Sequence, residues 1–111
     1  VEKSKKAIDK VRIPVLFGDQ GNEQLAFEAD AYNEKSKIVI EVEAGRAVTN
    51  YQFLKDLFQA SMMVETDYLV LAARVSYSNR NDYEVIHNFL DSIYLTNKIK
   101  LDLKGILLIG Y

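Results

Sequence analysis

The amino-acid sequence predicts an α/β domain in which a mixed central sheet lies between helices in a three-layer arrangement. Three observations favour this fold class. Residues 25–43 alternate apolar and polar side chains as an antiparallel hairpin does. Residues 68–75 and 105–111 are almost continuously apolar, which is typical of buried strands. Helical apolar spacing precedes each of these two segments, so each crossover is expected to add a parallel strand.

The expected order of elements is helix, three strands, helix, strand, helix, strand. Residues 1–10 resemble the end of a Lys- and Glu-rich helix. Residues 12–17 form a short apolar strand in which Pro14 is best tolerated at a sheet edge, and residues 18–22 form a turn. These segments lead into the hairpin.

In the hairpin, residues 25–32 are the first strand and residues 33–36 the turn. If Tyr32 pairs with Lys37, Glu28 lies opposite Glu41 across the two strands. The sequence therefore predicts that acids of both strands share one face of the sheet.

Two helices follow the hairpin. Thr49 and Gln52 have the spacing of a capping box at the start of the first, which is expected to end near residue 63. Its apolar stripe is predicted to contain Tyr51, Leu54, Leu57, Phe58, Ser61 and Met62. The second helix covers residues 82–96, with a stripe formed by Val85, Ile86, Phe89, Leu90 and Ile93.

The composition of the chain narrows the classes of function. Its 111 residues suit one domain, residues 1–111, or the core of a longer chain, because the sequence opens with Val. The absence of Cys excludes disulfides, zinc–thiolate sites and thiol nucleophiles. No apolar segment is long enough to span a bilayer, so we expect no membrane partner and a cytoplasmic location. The net charge of −2 is compatible with DNA binding without indicating it.

Acidic residues stand out in the hairpin. Glu41 and Glu43 alternate with apolar residues, and Asp30 precedes them on the neighbouring strand with Glu28 as a candidate fourth acid. Neighbouring carboxylates repel one another, and Mg²⁺, which prefers oxygen ligands, would compensate the repulsion. The alternative is a solvated face, because alternating acids often face water on an antiparallel sheet.

The order of elements, with an Asp on the second strand and Glu-x-Glu on the third, resembles the PD-(D/E)XK nucleases, the restriction endonuclease-like superfamily. The resemblance covers nearly the whole chain and implies a metal-dependent endodeoxyribonuclease. It implies Asp30 and Glu41 as ligands of Mg²⁺, or of Mn²⁺ as its substitute, with the Val42 carbonyl completing the coordination. Its implied partners are DNA and, for cleavage of both strands, a second copy in a homodimer.

The resemblance implies Asp30, Glu41 and Glu43 as the catalytic set, although Glu43 stands where the family usually has Lys. The Glu-x-Glu variant among type II restriction endonucleases has the same replacement. Where a Lys would orient water and balance charge, Glu43 can accept hydrogen bonds, act as a base or contact a second cation. Three further residues are candidate phosphate contacts at the same end of the sheet: Arg46, Asn50 and Gln52.

Two other functions fit the sequence. A catalytically inactive member of the same fold would bind DNA or a protein and would have no reason to hold a cation. A small structural α/β domain that oligomerises through a sheet edge would assemble with rising concentration and tolerate Asp30→Ala. His87 is expected on the second helix beside its apolar stripe, as a residue at the edge of the buried face rather than a base or ligand, because no orienting partner is visible beside it.

Overall fold

In the computed structural model, the described residues are 10–45 and 47–111, with Asn50 described by its backbone. The described part contains six strands and two α-helices. The strands are β1 (Val11–Phe17), β2 (Glu23–Ala29), β3 (Ala31–Asn33), β4 (Ile38–Val42), β5 (Tyr68–Ala73) and β6 (Gly105–Gly110). The helices are α1 (Gln52–Met62), between β4 and β5, and α2 (Asp82–Thr96), between β5 and β6.

The strands form two sheets of different composition. β1 and β2 pair antiparallel, and a four-stranded sheet has the order β3-β4-β5-β6. In the larger sheet β3 and β4 are antiparallel, whereas β4, β5 and β6 run parallel. The prediction of an α/β domain whose antiparallel hairpin is extended by parallel crossover strands is therefore confirmed.

The hydrophobic core lies between β5 and the two helices. Leu69 and Leu71 of β5 are at most 1% exposed. The ring of Phe53 in α1 meets the ring of Phe89 in α2 edge to face, with centroids 5.5 Å apart. Because the two helices contact each other, they cover the same face of the sheet. The first predicted helix, residues 1–10, falls almost entirely on residues 1–9, which lie outside the described residues.

The prediction of a buried last strand is wrong. Leu107 and Ile109 of β6 are 57% and 41% exposed. β6 is an edge strand with β5 as its neighbour, and these side chains share the sheet face away from the helices. Within the described part of the chain, no helix has the length and apolar character needed to cross a membrane.

Helix α1 differs from its prediction at its start and in its buried face. A short 3-10 turn, Thr49–Tyr51, precedes it, and no side chain caps either element, so the predicted capping box is wrong. The buried residues are Phe53, Asp56, Leu57 and Ala60, whereas Phe58 and Met62 are exposed. The buried stripe is thus turned by about one residue, and an aspartate occupies its centre. Helix α2 has the predicted bounds, and Asn81 caps it by accepting the Glu84 N–H.

The hairpin register is also different from the prediction. Tyr32 pairs with Val39 instead of Lys37, because the turn covers residues 34–37 and Lys37 adopts a left-handed conformation with φ 59°. The side chain of Asn33 holds this turn by accepting the N–H groups of Lys35 and Ser36. A shift of two residues keeps the β3 side chains on their predicted face, but Glu28 does not lie opposite Glu41, because it belongs to β2 and pairs with Arg12 of β1.

Candidate active site

Asp30 lies at a break between two strands. The predicted single strand is divided there into β2, which pairs with β1, and β3, which pairs with β4. The backbone N–H of Asp30 donates to Oε1 of Glu41 over 3.0 Å, and Oδ2 of Asp30 accepts the backbone N–H of Val42 over 2.8 Å. Side-chain oxygens thus satisfy backbone groups beyond the β3–β4 ladder. The same contacts fix both carboxylates next to each other.

Lys10 supplies a positive charge to this pair. Its Nζ lies 2.6 Å from Oδ1 of Asp30. The hydrogen bond to Asp30 raises the pKa of Lys10, with smaller contributions from the negative charges of Glu41 and Glu28. Lys10 is therefore an ammonium ion held at the carboxylate that was predicted to bind a metal.

Glu41 is the most deeply buried of the predicted acids, with 9% of its surface exposed. Burial raises its pKa to about 7. The backbone N–H of Asp30 and the charge of Lys10 oppose this shift, whereas the negative charges of Asp30 and Glu43 add to it. A carboxyl group that titrates near neutral pH is a common property of functional sites.

Asp56 is a site residue that the sequence interpretation missed. It projects from α1 with 4% of its surface exposed, and burial raises its pKa to about 9. The contact with the carboxylate of Glu43 and the negative charges of Glu43 and Glu41 contribute to this rise in pKa, while the Gln52 side chain opposes it. Asp56 is therefore protonated at neutral pH and can share its proton with Glu43. Its Oδ2 is buried without a hydrogen-bond partner in the described structure.

These groups line one open cavity of about 550 Å³, here called the acid cavity. Its acidic residues are Glu28, Asp30, Glu41, Glu43 and Asp56. Basic and amide side chains on its wall belong to Lys10, Arg12, Lys55, Gln52 and Gln59. The cavity thus offers hard oxygen donors beside groups that can neutralise or hydrogen-bond an anionic ligand.

Most of the predicted site residues meet at the acid cavity. Glu28, Val42, Glu43 and Gln52 line it together with Asp30 and Glu41. Glu28 is exposed, and Glu43 lies just past β4, with its N–H donating to the Ala72 carbonyl. Arg46 lies outside the described residues, and Asn50 is described only as part of the 3-10 turn.

The acids contact one another in pairs and do not surround a common point as the ligands of a metal ion do. Among the residues that the structure describes, no group of three or more His, Asp or Glu side chains could hold a metal ion as it stands. Asp30 is linked to Glu41, and Asp56 to Glu43. The oxygen donors and the unpartnered Oδ2 of Asp56 fit a hard cation in kind, and the Lys10 ammonium now lies where positive charge is needed.

His87 lies away from these groups. It is exposed on α2, where its Nδ1 is 3.7 Å from Oδ2 of Asp91 one turn later and its ring stacks on Tyr83 with centroids 6.0 Å apart. His87 does not line the acid cavity. His87 is therefore a surface residue of α2.

Comparison of the chain with protein-family models, with curated proteins and with solved structures found no match.

Proposed function

We propose that this protein is a metal-dependent nuclease that hydrolyses phosphodiester bonds in DNA on a restriction endonuclease-like fold. The observation that carries the proposal is the acid cavity, where five acidic residues from β2, β4, α1 and the adjoining segments meet. The pKa of Glu41 is raised to about 7 and that of Asp56 to about 9. The raised pKa values reflect burial and neighbouring carboxylates, both of which disfavour negative charge in the cavity. A divalent cation would offset this penalty.

The sheet supports the finer fold assignment. An antiparallel pair, β3 and β4, is followed by α1, the parallel strand β5, α2 and the parallel strand β6. This order matches the last antiparallel pair, the helix and the parallel strand of the PD-(D/E)XK core that the sequence resembles, whereas β1 pairs with β2 in a separate sheet. Asp30 and Glu41 lie side by side at one end of the β3–β4 pair, as that resemblance requires of its acids. A similar fold supports the location of the site, whereas the reaction is inferred from the residues that line it.

The residues would divide the work of hydrolysis among them. Asp30 and Glu41 would hold Mg²⁺ with the Val42 carbonyl. The ammonium group of Lys10 would have to move away from Asp30 to make room for the cation. A bound Mg²⁺ supplies Lewis-acid polarisation of a phosphoryl oxygen and a lowered pKa for a coordinated water. Glu43 would accept a proton from the attacking water, and protonated Asp56 would orient the Glu43 carboxylate through their shared hydrogen bond.

Phosphate recognition is assigned to the rim of the acid cavity. Arg12 and Lys55 line it and can neutralise phosphate oxygens, and the Gln52 amide can donate a hydrogen bond. Arg46 and Asn50 remain predicted phosphate contacts from the resemblance. Because cleavage of both strands of a duplex needs two such sites, the proposal includes a homodimer. Sedimentation velocity over a range of protein concentrations would test it.

A noncatalytic DNA- or protein-binding module of the same fold is the second candidate. The ion pair between Lys10 and Asp30 and the raised pKa of Asp56 favour it. Together they reduce the negative charge of the cavity without any metal. Such a protein would keep the acids for stability and would have no affinity for divalent cations.

Metal titration separates the two candidates. Mn²⁺ and Mg²⁺ are titrated by calorimetry into the wild type, Asp30→Asn and Glu41→Gln, with Asp91→Asn on the exposed face of α2 as the matched control. The nuclease proposal expects binding by the wild type and the control and loss of binding in both site variants. Binding retained in the site variants would refute Asp30 and Glu41 as the metal ligands of the nuclease proposal. No binding by the wild type, with and without a DNA duplex, would refute the nuclease proposal and favour the noncatalytic module.

A further inference from the structure

A second cluster of charged and aromatic side chains lies beyond the carboxyl end of β5. The guanidinium carbon of Arg74 is 5.6 Å from the ring centroid of Tyr77 and 5.8 Å from that of Tyr111. The guanidinium carbon of Arg80 is also 5.6 Å from the Tyr77 centroid. Two cations therefore flank one aromatic ring, an arrangement that cation–π attraction supports.

A tight hairpin holds Tyr77 and Arg80 in place. Their backbones exchange two hydrogen bonds of 2.9 Å and 2.8 Å. The two residues between them, Ser78 and Asn79, have positive φ angles of 49° and 63°, as a two-residue type I′ turn requires. Arg80 is thus presented on a rigid element rather than on an extended loop.

Arg80 and Tyr77 line an open cavity of about 440 Å³, here called the arginine cavity. Its other walls are Gly45 and Thr49 from the β4–α1 connection and Ser78 from the hairpin. The Arg80 side chain is 41% exposed, so part of its guanidinium remains accessible. Hydroxyl and guanidinium donors on one cavity suit an anionic ligand that carries several oxygens.

Positive charge exceeds negative charge around this cavity. Arg80 Nε lies 3.5 Å from Oδ1 of Asp82, which is completely buried. Arg74 has no carboxylate within ion-pair distance among the described side chains, and its Nε is buried without a hydrogen-bond partner. A buried donor without a partner is uncommon and calls for a missing water or ion. Of the two guanidinium groups beside Tyr77, that of Arg80 alone has a carboxylate within 4 Å among the described side chains, and both oxygens of this Asp82 carboxylate are buried without a hydrogen bond.

The arginine cavity adjoins the acid cavity through one short piece of chain. Glu43 lines the first and Gly45 the second, so their Cα atoms are no more than about 7 Å apart. The hydroxyl of Tyr111 donates to the Glu43 carbonyl over 2.6 Å, and Nη2 of Arg80 donates to the Gly45 carbonyl over 3.1 Å. The cation cluster therefore supports the backbone that carries Glu43.

We propose that the arginine cavity binds a backbone phosphate of the DNA strand whose neighbouring phosphodiester lies at the acid cavity. Arg80 contacts the phosphate oxygens directly, Thr49 donates its hydroxyl, and Arg74 adds positive charge from behind the Tyr77 ring. The site is sequence-independent, because phosphate contacts position a duplex without reading its bases. This inference rests on the proposed function in taking DNA as the ligand.

Binding of a short fluorescein-labelled DNA duplex, followed by fluorescence anisotropy in EDTA over a series of NaCl concentrations, tests the proposal without cleavage. Arg80→Gln is expected to weaken binding about tenfold. It should also lower the slope of log K against log salt concentration by about one. Thr49→Val, at an exposed position, should weaken binding about fivefold with the fold intact. Lys98→Gln, on the exposed segment after the far end of α2, is the control and should change neither quantity.

Each outcome is distinct from the outcome of the metal titration. Unchanged DNA binding in both Arg80→Gln and Thr49→Val would overturn the inference, whatever the metal result. Loss of DNA binding in these variants alongside normal Mn²⁺ binding by Arg80→Gln would support both proposals. If the wild type binds DNA through Arg80 and binds no metal, this inference stands and the nuclease proposal fails. If inorganic phosphate raises the melting temperature through Arg80 while DNA does not bind, the ligand is a free phosphate and the inference is overturned.

Discussion

The backbone N–H of Asp30 donates to Oε1 of Glu41 over 3.0 Å, and this single contact joins a strand break to a buried acid. Asp30 separates β2 from β3, and Glu41 is the last residue but one of β4. The carboxylate of Asp30 makes the complementary bond to the N–H of Val42. The two acids are therefore part of the framework of the hairpin as well as of the candidate site.

Replacing Glu41 tests this framework role. Glu41→Ala removes the acceptor of the Asp30 N–H and leaves a part-buried donor without a partner, so we expect a loss of about 1–3 kcal/mol in the free energy of unfolding. Glu41→Gln keeps an acceptor oxygen at the same place and should cost less than about 1 kcal/mol. Urea denaturation measures both. Equal losses in the two variants would contradict a structural role for the hydrogen bond.

Replacing the carboxyl of Asp56 with a group that does not titrate should stabilise the protein above neutral pH. The pKa of Asp56 is raised from 3.8 to about 9, so the folded protein keeps a proton that the unfolded chain has lost. Stability is greatest at low pH on this account and falls as pH rises from 3.8 through about 9. Asp56→Asn removes this loss and should add about 1–2 kcal/mol at pH 8.

The measurement for Asp56 is urea denaturation across a pH series. The difference in unfolding free energy between Asp56→Asn and the wild type should grow as the pH rises. Asp91→Asn is the control, because this side chain is 61% exposed and its replacement should change stability by less than about 0.5 kcal/mol. A difference for Asp56→Asn that stays constant with pH would show that its carboxyl titrates normally.

Lys10 should compete with a divalent cation for Asp30. Lys10→Met removes the ammonium at 2.6 Å from the Asp30 carboxylate, so we expect tighter Mn²⁺ binding, by about tenfold. The loss of stability without metal should be below about 1 kcal/mol, because the ion pair is partly exposed. Calorimetry measures the first quantity and thermal denaturation the second. Lys104→Met, which breaks the ion pair with Asp67, is the control and should leave metal affinity unchanged.

A methyl group at Gly45 should disturb the connection between the two cavities. Gly45 has a φ of +109°, and a Cβ built on it would lie 2.6 Å from the Tyr77 ring. Gly45→Ala therefore combines backbone strain with a displaced ring, and we expect a loss of about 2–4 kcal/mol in unfolding free energy. Gly21→Ala is the control, because its φ is +75° but no atom lies within 4 Å. Unfolding free energies are measured by denaturant titration. Equal losses in Gly45→Ala and Gly21→Ala would show that the cost comes from backbone strain alone and not from the contact with Tyr77.

The spacing of apolar residues along the chain predicted several helices and strands of this protein correctly. The bounds of α2 were predicted from apolar spacing, and β5 and β6 from short apolar runs, because helix and strand periods are properties of adjacent residues. The same alternation indicates the acids at the end of β4, since it places Glu41 and Glu43 on one side. The even shift in hairpin register did not disturb this result.

Asp56 shows what the local pattern could not decide. It follows Phe53 by three residues and precedes Leu57 by one, so an acid inside the buried stripe of α1 was the available signal. Apolar spacing alone assigns an aspartate to the exposed face of a helix. The predicted apolar stripe is therefore displaced from the buried one. The position of Asp56 beside Glu43 depends on how α1 packs on β4.

The sequence by itself determined the α/β class with a mixed sheet, the order of elements from β4 to β6 and the cluster of acids on the hairpin, whereas the division of one predicted strand into β2 and β3 of different sheets did not follow from it. Tertiary structure alone decided that Lys10 pairs with Asp30, that Asp56 lies beside Glu43, and that Arg80 reaches the Gly45 carbonyl. These contacts join residues that are 13 to 35 positions apart, counting from the residue numbers. Side-chain periodicity acts over one or two turns, whereas such pairings follow from packing helices and loops on the sheet.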